Sequence, residues 1–444
     1  MKKLFTYNTF LTIFLCFIVI MAFCSLLRHH YLGGNKLQFF QKIVVAIAET
    51  PSNARDMIKY KTINLNKQPV LFKHKDKKRF EQFIDNKRNA ILVLPRYDHA
   101  LSRSVINIVD LNNFEVIHTY KSDIKKKFDQ IKNIKEYPYL KTDWAPERFS
   151  YVHPLILEDG SLIVAGINSP IYKIDFCSNL QWLNDKEQFH HSIEIDHENN
   201  LWTGGIMVPY SQFIEKFSIK NFQDDSIIKM NIDGKILLNK SVTELLFENN
   251  LIPSNFPLNT FINPIHLNDI EPALNDTKYW QQGDLFLSIK NQSAIVHYRP
   301  GTNKVLNYLT GPFQDQHDVD IISDKEISIF NNNNFNVNNE FSEVVIYNFE
   351  TKTFRKLFND QLQKENFKTV SQGLSHTFED GALLVEEQNH GRIILLNNKG
   401  NKEWEFVNKD KNGDIGHVDW VRVIEDKIFI EKFKSLVKNK KCLN

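Results

Sequence analysis

The chain has 444 residues, of which 42% are hydrophobic and 24% are charged, and its formal net charge is +2. These proportions are ordinary for a globular protein that buries a large core. A net charge so close to zero provides no basic field, which excludes a protein built around a nucleic-acid partner. The 34 phenylalanines favour strands over helices.

An almost unbroken apolar stretch covers residues 4–27 and follows Lys2 and Lys3. At about 1.5 Å per residue, such a helix spans the ~30 Å hydrocarbon core of a bilayer. Residues 1–30 therefore predict a signal anchor that crosses the membrane once. The two lysines favour a cytoplasmic N-terminus, which places the rest of the chain on the exported, periplasmic side. A cleaved signal peptide is the alternative, and it would export the same domain.

Residues 31–87 are predicted to form a juxtamembrane segment, with one amphipathic helix followed by a charged, solvated stretch. Residues 88–444 then form one domain. It opens with two strand runs over 90–120, which read as a hairpin-like pair.

A short pattern recurs six times in this domain. A histidine is followed by a few mostly apolar residues, an acidic or Asn/Gly turn, and a second apolar run. The six histidines are His153, His191, His266, His317, His376 and His417. A β-hairpin signal repeated at intervals of roughly 40–75 residues is typical of a β-propeller.

The pattern predicts an all-β, six-bladed propeller whose inner strands line an axial channel. The segment at His417 has room for only two strands, and the strands at 90–120 have no such histidine. We therefore expect these two parts of the chain to form one blade together. A propeller of seven or eight blades is the alternative if residues 90–150 form a blade of their own. Equivalent residues of successive blades converge, so a ring of imidazoles at the channel mouth is a candidate active site.

Four cysteines are present. Cys16 and Cys24 lie in the predicted anchor, so Cys177 and Cys442 are the only pair available to the exported domain. They can form a disulfide or remain two free thiols, and the sequence leaves both possibilities open.

Several of the repeated segments, among them YVHPLILEDGSLIVAG, FHHSIEIDHENNLWTGG and SQGLSHTFEDGALLVEE, resemble arylsulfate sulfotransferases in sequence and order. The resemblance covers about residues 90–410. It implies a six-bladed propeller that transfers a sulfuryl group from an aryl sulfate to a phenolic acceptor by ping-pong chemistry. Neither a cofactor nor a metal is implied.

The resemblance also suggests site residues. The sulfated histidine of the family lies in a Gln-His pair, which is Gln316-His317 here. Its His-x-Asn motif corresponds to His266-Leu267-Asn268. A further histidine comes from a His-His pair, here His190-His191, and we prefer His191.

An arginine of the family lies in a Ser-Ser-Arg-His-Gln stretch. Ser288-Ile289-Lys290-Asn291-Gln292 fills that place, so Lys290 replaces the arginine. The positive charge is kept, but the planar fork that grips an oxyanion at two points is lost. No cysteine lies near His317, so the family's disulfide loop has no counterpart there.

These residue types suit sulfuryl transfer. A neutral imidazole can act as the nucleophile, which we assign to His317. His266 is expected to protonate the departing phenolate. The residues expected to hold the sulfate oxygens are His191, Asn268 and Lys290. Histidines that only cap inner strands are the simpler alternative, and we assign His153, His376 and His417 to that role.

Two other functions fit a propeller with inner-strand histidines. One is a metal-dependent lyase or hydrolase, because imidazole is a good zinc ligand. The other is a non-catalytic propeller that binds a sugar or a protein. Glu386 and Glu387 are a weaker signal, since they lie in an alternating strand in which one of them is expected to face solvent.

Overall fold

The computed structural model describes residues 7–31, 40, 43–44, 47, 73–121, 123–133, 144–215, 222–251, 263–334 and 341–442. Beyond the first helix, most regular structure in these ranges is antiparallel strand. The predicted juxtamembrane segment lies mostly outside the described residues.

The elements follow one another in chain order. The first are α1 (Tyr7–Tyr31), β1 (Phe80–Gln82), β2 (Ile91–Asp98), β3 (Arg103–Asp110), β4 (Glu115–Tyr120) and α2 (Ile124–Phe128). Next come β5 (Val152–Ile156), β6 (Leu162–Ala165), β7 (Ser169–Ile174), β8 (Leu180–Ile195), β9 (Asn200–Ile206), α3 (Gln212–Glu215), β10 (Asp225–Asn231), β11 (Ile236–Ser241) and α4 (Val242–Glu248).

The second half is built in the same way. It contains β12 (Leu267–Pro272), β13 (Leu285–Ile289), β14 (Ala294–Arg299), β15 (Lys304–Thr310), β16 (Val319–Ser323), β17 (Glu326–Asn331), β18 (Glu343–Asn348), β19 (Thr353–Leu357) and α5 (Asn359–Lys364). The last elements are β20 (Ser375–Thr377), β21 (Leu383–Glu387), β22 (Arg392–Leu396), β23 (Lys402–Val407), β24 (Arg422–Ile424) and α6 (Lys427–Asn439).

The described strands form five antiparallel sheets. Their orders are β24-β2-β3-β4, β5 through β11, β12 through β15, β16 through β19, and β20 through β23 with β1 added at the edge. Middle strands such as β14 are buried almost throughout, whereas the last strand of a sheet, such as β15, is partly exposed. This gradient fits sheets stacked face to face around an axis, and it confirms the predicted all-β, propeller-like class.

The seven-stranded sheet contains two four-stranded units that share one long strand. The first part of β8 pairs with β7, through Leu180 to Asn184. The last part of β8 pairs with β9, from Gln188 to Ile195. The strand thus continues from the outer edge of one unit to the inner edge of the next.

One sheet contains strands from both halves of the domain. β24 pairs with β2, and Ile91 lies opposite Ile424 in the register. The expectation that the strands at 90–120 complete the blade begun near His417 is therefore confirmed.

Aromatic and aliphatic side chains fill the spaces between neighbouring sheets. Phe286 of β13 and Trp280, in the connection before that strand, pack with Val345 and Tyr347 of β18. Such packing between large apolar faces fixes each inner strand against the next, and thereby positions the residues at the strand ends.

Within the described part of the chain, no helix combines the length and the apolar composition needed to cross a membrane. The predicted transmembrane helix over residues 4–27 is therefore not confirmed.

Cys177, in the turn after β7, forms a disulfide with Cys442, across a sequence separation of 265 residues. Ile430 and Phe433 of α6 are buried in the same apolar cluster as Phe176. Of the two states that the sequence leaves open, the paired one is observed. The bond ties the end of the chain to the unit formed by β5 to β8.

Removing this disulfide is expected to lower the free energy of unfolding by about 2–5 kcal/mol, because a cross-link over a long loop restricts the unfolded chain. The measurement is urea unfolding of the wild type and of the Cys177→Ser/Cys442→Ser variant, each with and without dithiothreitol. The reductant should lower the wild-type midpoint to that of the variant and leave the variant unchanged. Equal midpoints for the oxidised wild type and the variant would show that the bond contributes nothing.

Candidate active site

Four residues in or just before inner strands have left-handed backbone. The φ angle is +43° at His153, +59° at His191, +53° at His266 and +52° at Trp420. Each such non-glycine residue costs on the order of 1–3 kcal/mol and persists only where its surroundings hold it. The strained residues are neighbours in space: the ring of His191 lies 5.7 Å from that of His266 and 5.9 Å from that of Trp420.

The rings of His191 and His266 adjoin a cavity of about 270 Å³. Its lining includes His190, His191, His266, Lys290, His317 and Gln372. The ring of His317 lies 6.0 Å from that of His191. The structure thus brings together four of the five predicted site residues, which come from three successive units of the propeller.

His317 is almost completely buried. Its Nδ1 lies 2.7 Å from Oδ1 of Asn332 and 3.0 Å from the carbonyl oxygen of Asp315. Its Nε2 accepts a hydrogen bond of 2.9 Å from the backbone N–H of Gln372. Burial lowers the pKa of His317 to about 3; the Asn332 hydrogen bond opposes this shift, and the charge of Lys290 adds to it. The imidazole is therefore neutral at physiological pH.

His266 has an asparagine partner as well. Nδ2 of Asn263 lies 2.8 Å from Nδ1 of His266, and the backbone N–H of His266 donates to Oδ1 of Asn263 at 2.8 Å. Burial is the main cause that lowers the pKa of His266 to about 4, while Asp225 acts to raise it and Lys290 to lower it.

His191 lies between the other two imidazoles. Burial lowers its pKa well below the ordinary value, and His190, His266, His317 and Lys290 add to the effect. Its Nδ1 is buried and has no hydrogen-bond partner among the described residues. His190, beside it, lies 3.5 Å from the carboxylate of Asp225.

Lys290 supplies positive charge to the cavity. It starts a short 3-10 turn, Lys290–Gln292, directly after β13. Its backbone N–H donates to the carbonyl oxygen of His266 at 3.0 Å, which joins the turn to the histidine. Among the described residues, its ammonium forms no ion pair with a carboxylate, so its charge is available to an anion.

Asn268 does not line the cavity. Its side chain is fully buried, and Nδ2 donates to the carbonyl oxygen of Gln316 at 2.8 Å. The geometry thus places this amide behind the segment that carries His317, where it joins two neighbouring inner strands.

The expected ring of six imidazoles is incomplete. His376 lies 3.2 Å from Glu425, and His417 lies 2.8 Å from Asp419. In place of His417, Trp420 approaches the centre, with its ring 5.4 Å from that of His153. His153 itself contacts Glu194 at 3.1 Å.

Glu386 and Glu387 are both buried, so the expectation that one of them faces solvent is wrong. Lys73 and His74 bind Glu387 and cover it. Glu386 accepts the backbone N–H of Trp420 at 2.9 Å. This carboxylate therefore helps to hold the strained backbone at Trp420.

Three residues that contribute to the site are not marked by the repeated histidine pattern of the sequence. Asn332 stands in a run of four asparagines that reads as a polar loop. Gln372 contributes its backbone N–H, which any residue other than proline provides. Trp420 lies three residues after the histidine that the repeat pattern selects, and only the spatial comparison of the inner strands identifies it.

Comparisons with known proteins place this geometry in context. A solved protein of unknown function from Bacteroides caccae aligns with 10% identity and a TM-score of 0.47, covering 76% of this chain and all of that one. An inactive variant of virginiamycin B lyase from Staphylococcus aureus aligns with 12% identity and a TM-score of 0.34, covering 57% of this chain and 69% of that one. No curated protein matches. The profile of the arylsulfotransferase (ASST) family matches residues 153–409, which is more than half of the chain. The chain therefore belongs to the arylsulfotransferase family.

Proposed function

We propose that this protein transfers a sulfuryl group from an aryl sulfate to a phenolic acceptor through a sulfohistidine at His317. The observation that carries the proposal is the convergence of three neutral imidazoles and one lysine on a single cavity of about 270 Å³. Family membership supports a sulfotransferase-like activity.

In the first half-reaction, a ring nitrogen of neutral His317 attacks sulfur. A nitrogen–sulfur bond forms, and the bond between sulfur and the aryl oxygen breaks. The electron pair leaves with that oxygen as a phenolate. The departing phenolate then takes a proton from water. In the second half-reaction the acceptor phenol loses its proton to water and its oxygen attacks the same sulfur. The nitrogen–sulfur bond breaks, and its electron pair returns to the ring, which regenerates neutral His317. The site must stabilise the charge on the transferring group and hold the nucleophile and the leaving oxygen in line with sulfur, as in phosphoryl transfer.

Lys290 and His191 are proposed to bind the sulfuryl oxygens, because both line the cavity. The lowered pKa of His266 favours a neutral imidazole that donates a hydrogen bond to the departing phenolate, as neutral histidines do at other developing oxyanions. We assign Asn268 to support of the His317 segment. No cofactor takes part in these steps.

We also propose six blades for the propeller. The seven-stranded sheet counts as two four-stranded blades that share β8, and the other four sheets count as one blade each. The sheet that contains β24 and β2 then closes the ring.

The disulfide supports an exported location for this domain, since disulfides form and persist mainly in oxidising compartments such as the periplasm. Membrane anchoring through residues 4–27 stays a prediction.

The test is detection of the covalent intermediate. Incubation with 4-nitrophenyl sulfate, without an acceptor, should add the mass of one SO₃ group to the peptide that contains His317. A phenol added afterwards should remove that mass and yield the new aryl sulfate. An adduct on any other residue would contradict the assignment.

The pH dependence of adduct formation gives a second check. A histidine with a pKa of about 3 is neutral above that pH, so its reactivity should be nearly constant between pH 5 and 8. An ordinary imidazole with a pKa of ~6.5 would instead lose most of its reactivity at pH 5. Such a loss would show that His317 titrates normally.

A further inference from the structure

The two imidazoles proposed to act on the donor have opposite hydrogen-bond partners at Nδ1. At His317 both partners are oxygen atoms, Oδ1 of Asn332 at 2.7 Å and the carbonyl oxygen of Asp315 at 3.0 Å. At His266 the partner is the amide nitrogen of Asn263 at 2.8 Å.

The orientation of Asn332 is fixed by its other contacts. Its Nδ2 donates to the carbonyl oxygens of Thr369 at 3.0 Å and Gln372 at 2.8 Å. A carbonyl oxygen accepts and never donates, so this end of the amide must be the NH₂ group. Oδ1 then faces His317 and requires a proton on Nδ1. Nε2 consequently has the lone pair, and it accepts the Gln372 N–H at 2.9 Å.

The orientation of Asn263 is fixed in the opposite sense. Its Oδ1 accepts the backbone N–H of His266 at 2.8 Å. A backbone N–H can only donate, so the atom that faces Nδ1 of His266 is the NH₂ group. Nδ1 of His266 must then accept, and the single proton of the neutral ring lies on Nε2.

We infer that Asn332 and Asn263 are positioning residues that hold His317 and His266 in opposite neutral tautomers. Asn332 leaves the lone pair of His317 on Nε2, and this lone pair becomes nucleophilic when the Gln372 N–H releases it. Asn263 makes Nε2 of His266 a hydrogen-bond donor. The tautomers follow from the contacts alone, whereas their use in catalysis rests on the function proposed above.

The test is ¹⁵N NMR of histidine-labelled protein at pH 8, with the two rings assigned by loss of signals in His317→Ala and His266→Ala. The expected result is a protonated Nδ1 in His317 and a protonated Nε2 in His266. The same tautomer in both rings, or a doubly protonated ring, would overturn the inference.

A matched pair of substitutions shows that the asparagines set the tautomers. Asn332→Asp keeps an acceptor oxygen beside His317, so the His317 proton should stay on Nδ1. The other oxygen of this Asp faces the carbonyl oxygens of Thr369 and Gln372 and must be protonated to donate to them. Asn263→Asp replaces a donor by an ionised acceptor, so the proton of His266 should move to Nδ1. Asn231→Asp, at the last residue of β10, is the control and should change neither ring. A proton that remains on Nε2 alone in Asn263→Asp would contradict the inference.

Kinetics separate this inference from the proposed function. Asn263→Asp should lower transfer from phenyl sulfate by roughly 10²-fold, which is the effect of losing one oxyanion donor. It should lower transfer from 4-nitrophenyl sulfate much less, because 4-nitrophenolate needs little stabilisation as it departs. An equal loss on both donors would contradict the role of Asn263. If the NMR tautomers are as expected but the wild type transfers no sulfuryl group, the inference stands and the proposed function fails.

Discussion

Replacing His317 with alanine is expected to lower sulfuryl transfer by at least about 10³-fold, because no other group can take over a covalent step at the same position. The nearest imidazoles are unsuited to it. In His266 the proton lies on Nε2, because Asn263 donates to Nδ1, and His191 lies 6.0 Å away between ring centres. The measurement is turnover of 4-nitrophenyl sulfate with phenol as acceptor, together with the mass of the His317 peptide.

The matched control is His376→Ala. His376 also belongs to the repeat pattern, but it contacts Glu425 at 3.2 Å and does not line the cavity. Its removal should leave turnover unchanged. Full turnover in His317→Ala, or equal losses in both variants, would refute His317 as the nucleophile.

Replacing Lys290 with methionine is expected to cost on the order of 3–4 kcal/mol of transition-state stabilisation, or roughly 10²–10³-fold in rate. Methionine retains most of the length of the side chain and removes the charge. Lys290→Arg should keep or improve transfer, because the guanidinium fork can bind two sulfuryl oxygens. Comparison of kcat/KM for the three proteins on one aryl sulfate measures both effects.

Lys325→Met is the control for Lys290. Lys325 pairs with Glu350 at 2.6 Å on the exposed edge of the fourth sheet, so its loss should not alter kcat/KM. If Lys290→Met matched the wild type, the cavity would lose its proposed source of fixed positive charge, and the sulfuryl oxygens would need another partner.

The hairpin repeat was sufficient to predict the fold class, because the sequence displays its apolar runs and turns. The closure of one sheet by β24 and β2 followed from the strand count, because the segment at His417 has room for only two strands. Three of the repeated histidines meet at the cavity for the same reason, since they occupy equivalent positions on adjacent inner strands. Asn268 shows the limit of a motif. The motif predicts that an amide is needed there, but not that the side chain turns away from the cavity toward Gln316.

The contributions of Trp420 and Asn332 could not be predicted from the repeat. The repeat is equally consistent with His417 or Trp420 as the residue that approaches the centre of the propeller. Which of them does so depends on the left-handed backbone at Trp420. Asn332 acts through an amide whose orientation depends on two carbonyl oxygens from a distant loop. Such choices arise from contacts between segments that are far apart in the chain.

The pairing of β24 with β2 has a consequence for the order in which the parts of the fold are completed. Synthesis proceeds from the N-terminus, so β2 is made before nearly all of the ring and waits for a partner that is translated near the end. Until β24 arrives, the backbone edge of β2 is open to pairing with other chains, which favours aggregation. Trp420, which precedes β24 by two residues, packs against the cavity histidines only after that step. The surroundings of these histidines are therefore completed late, and an interrupted translation product lacks the Trp420 ring that packs against His191 and His317.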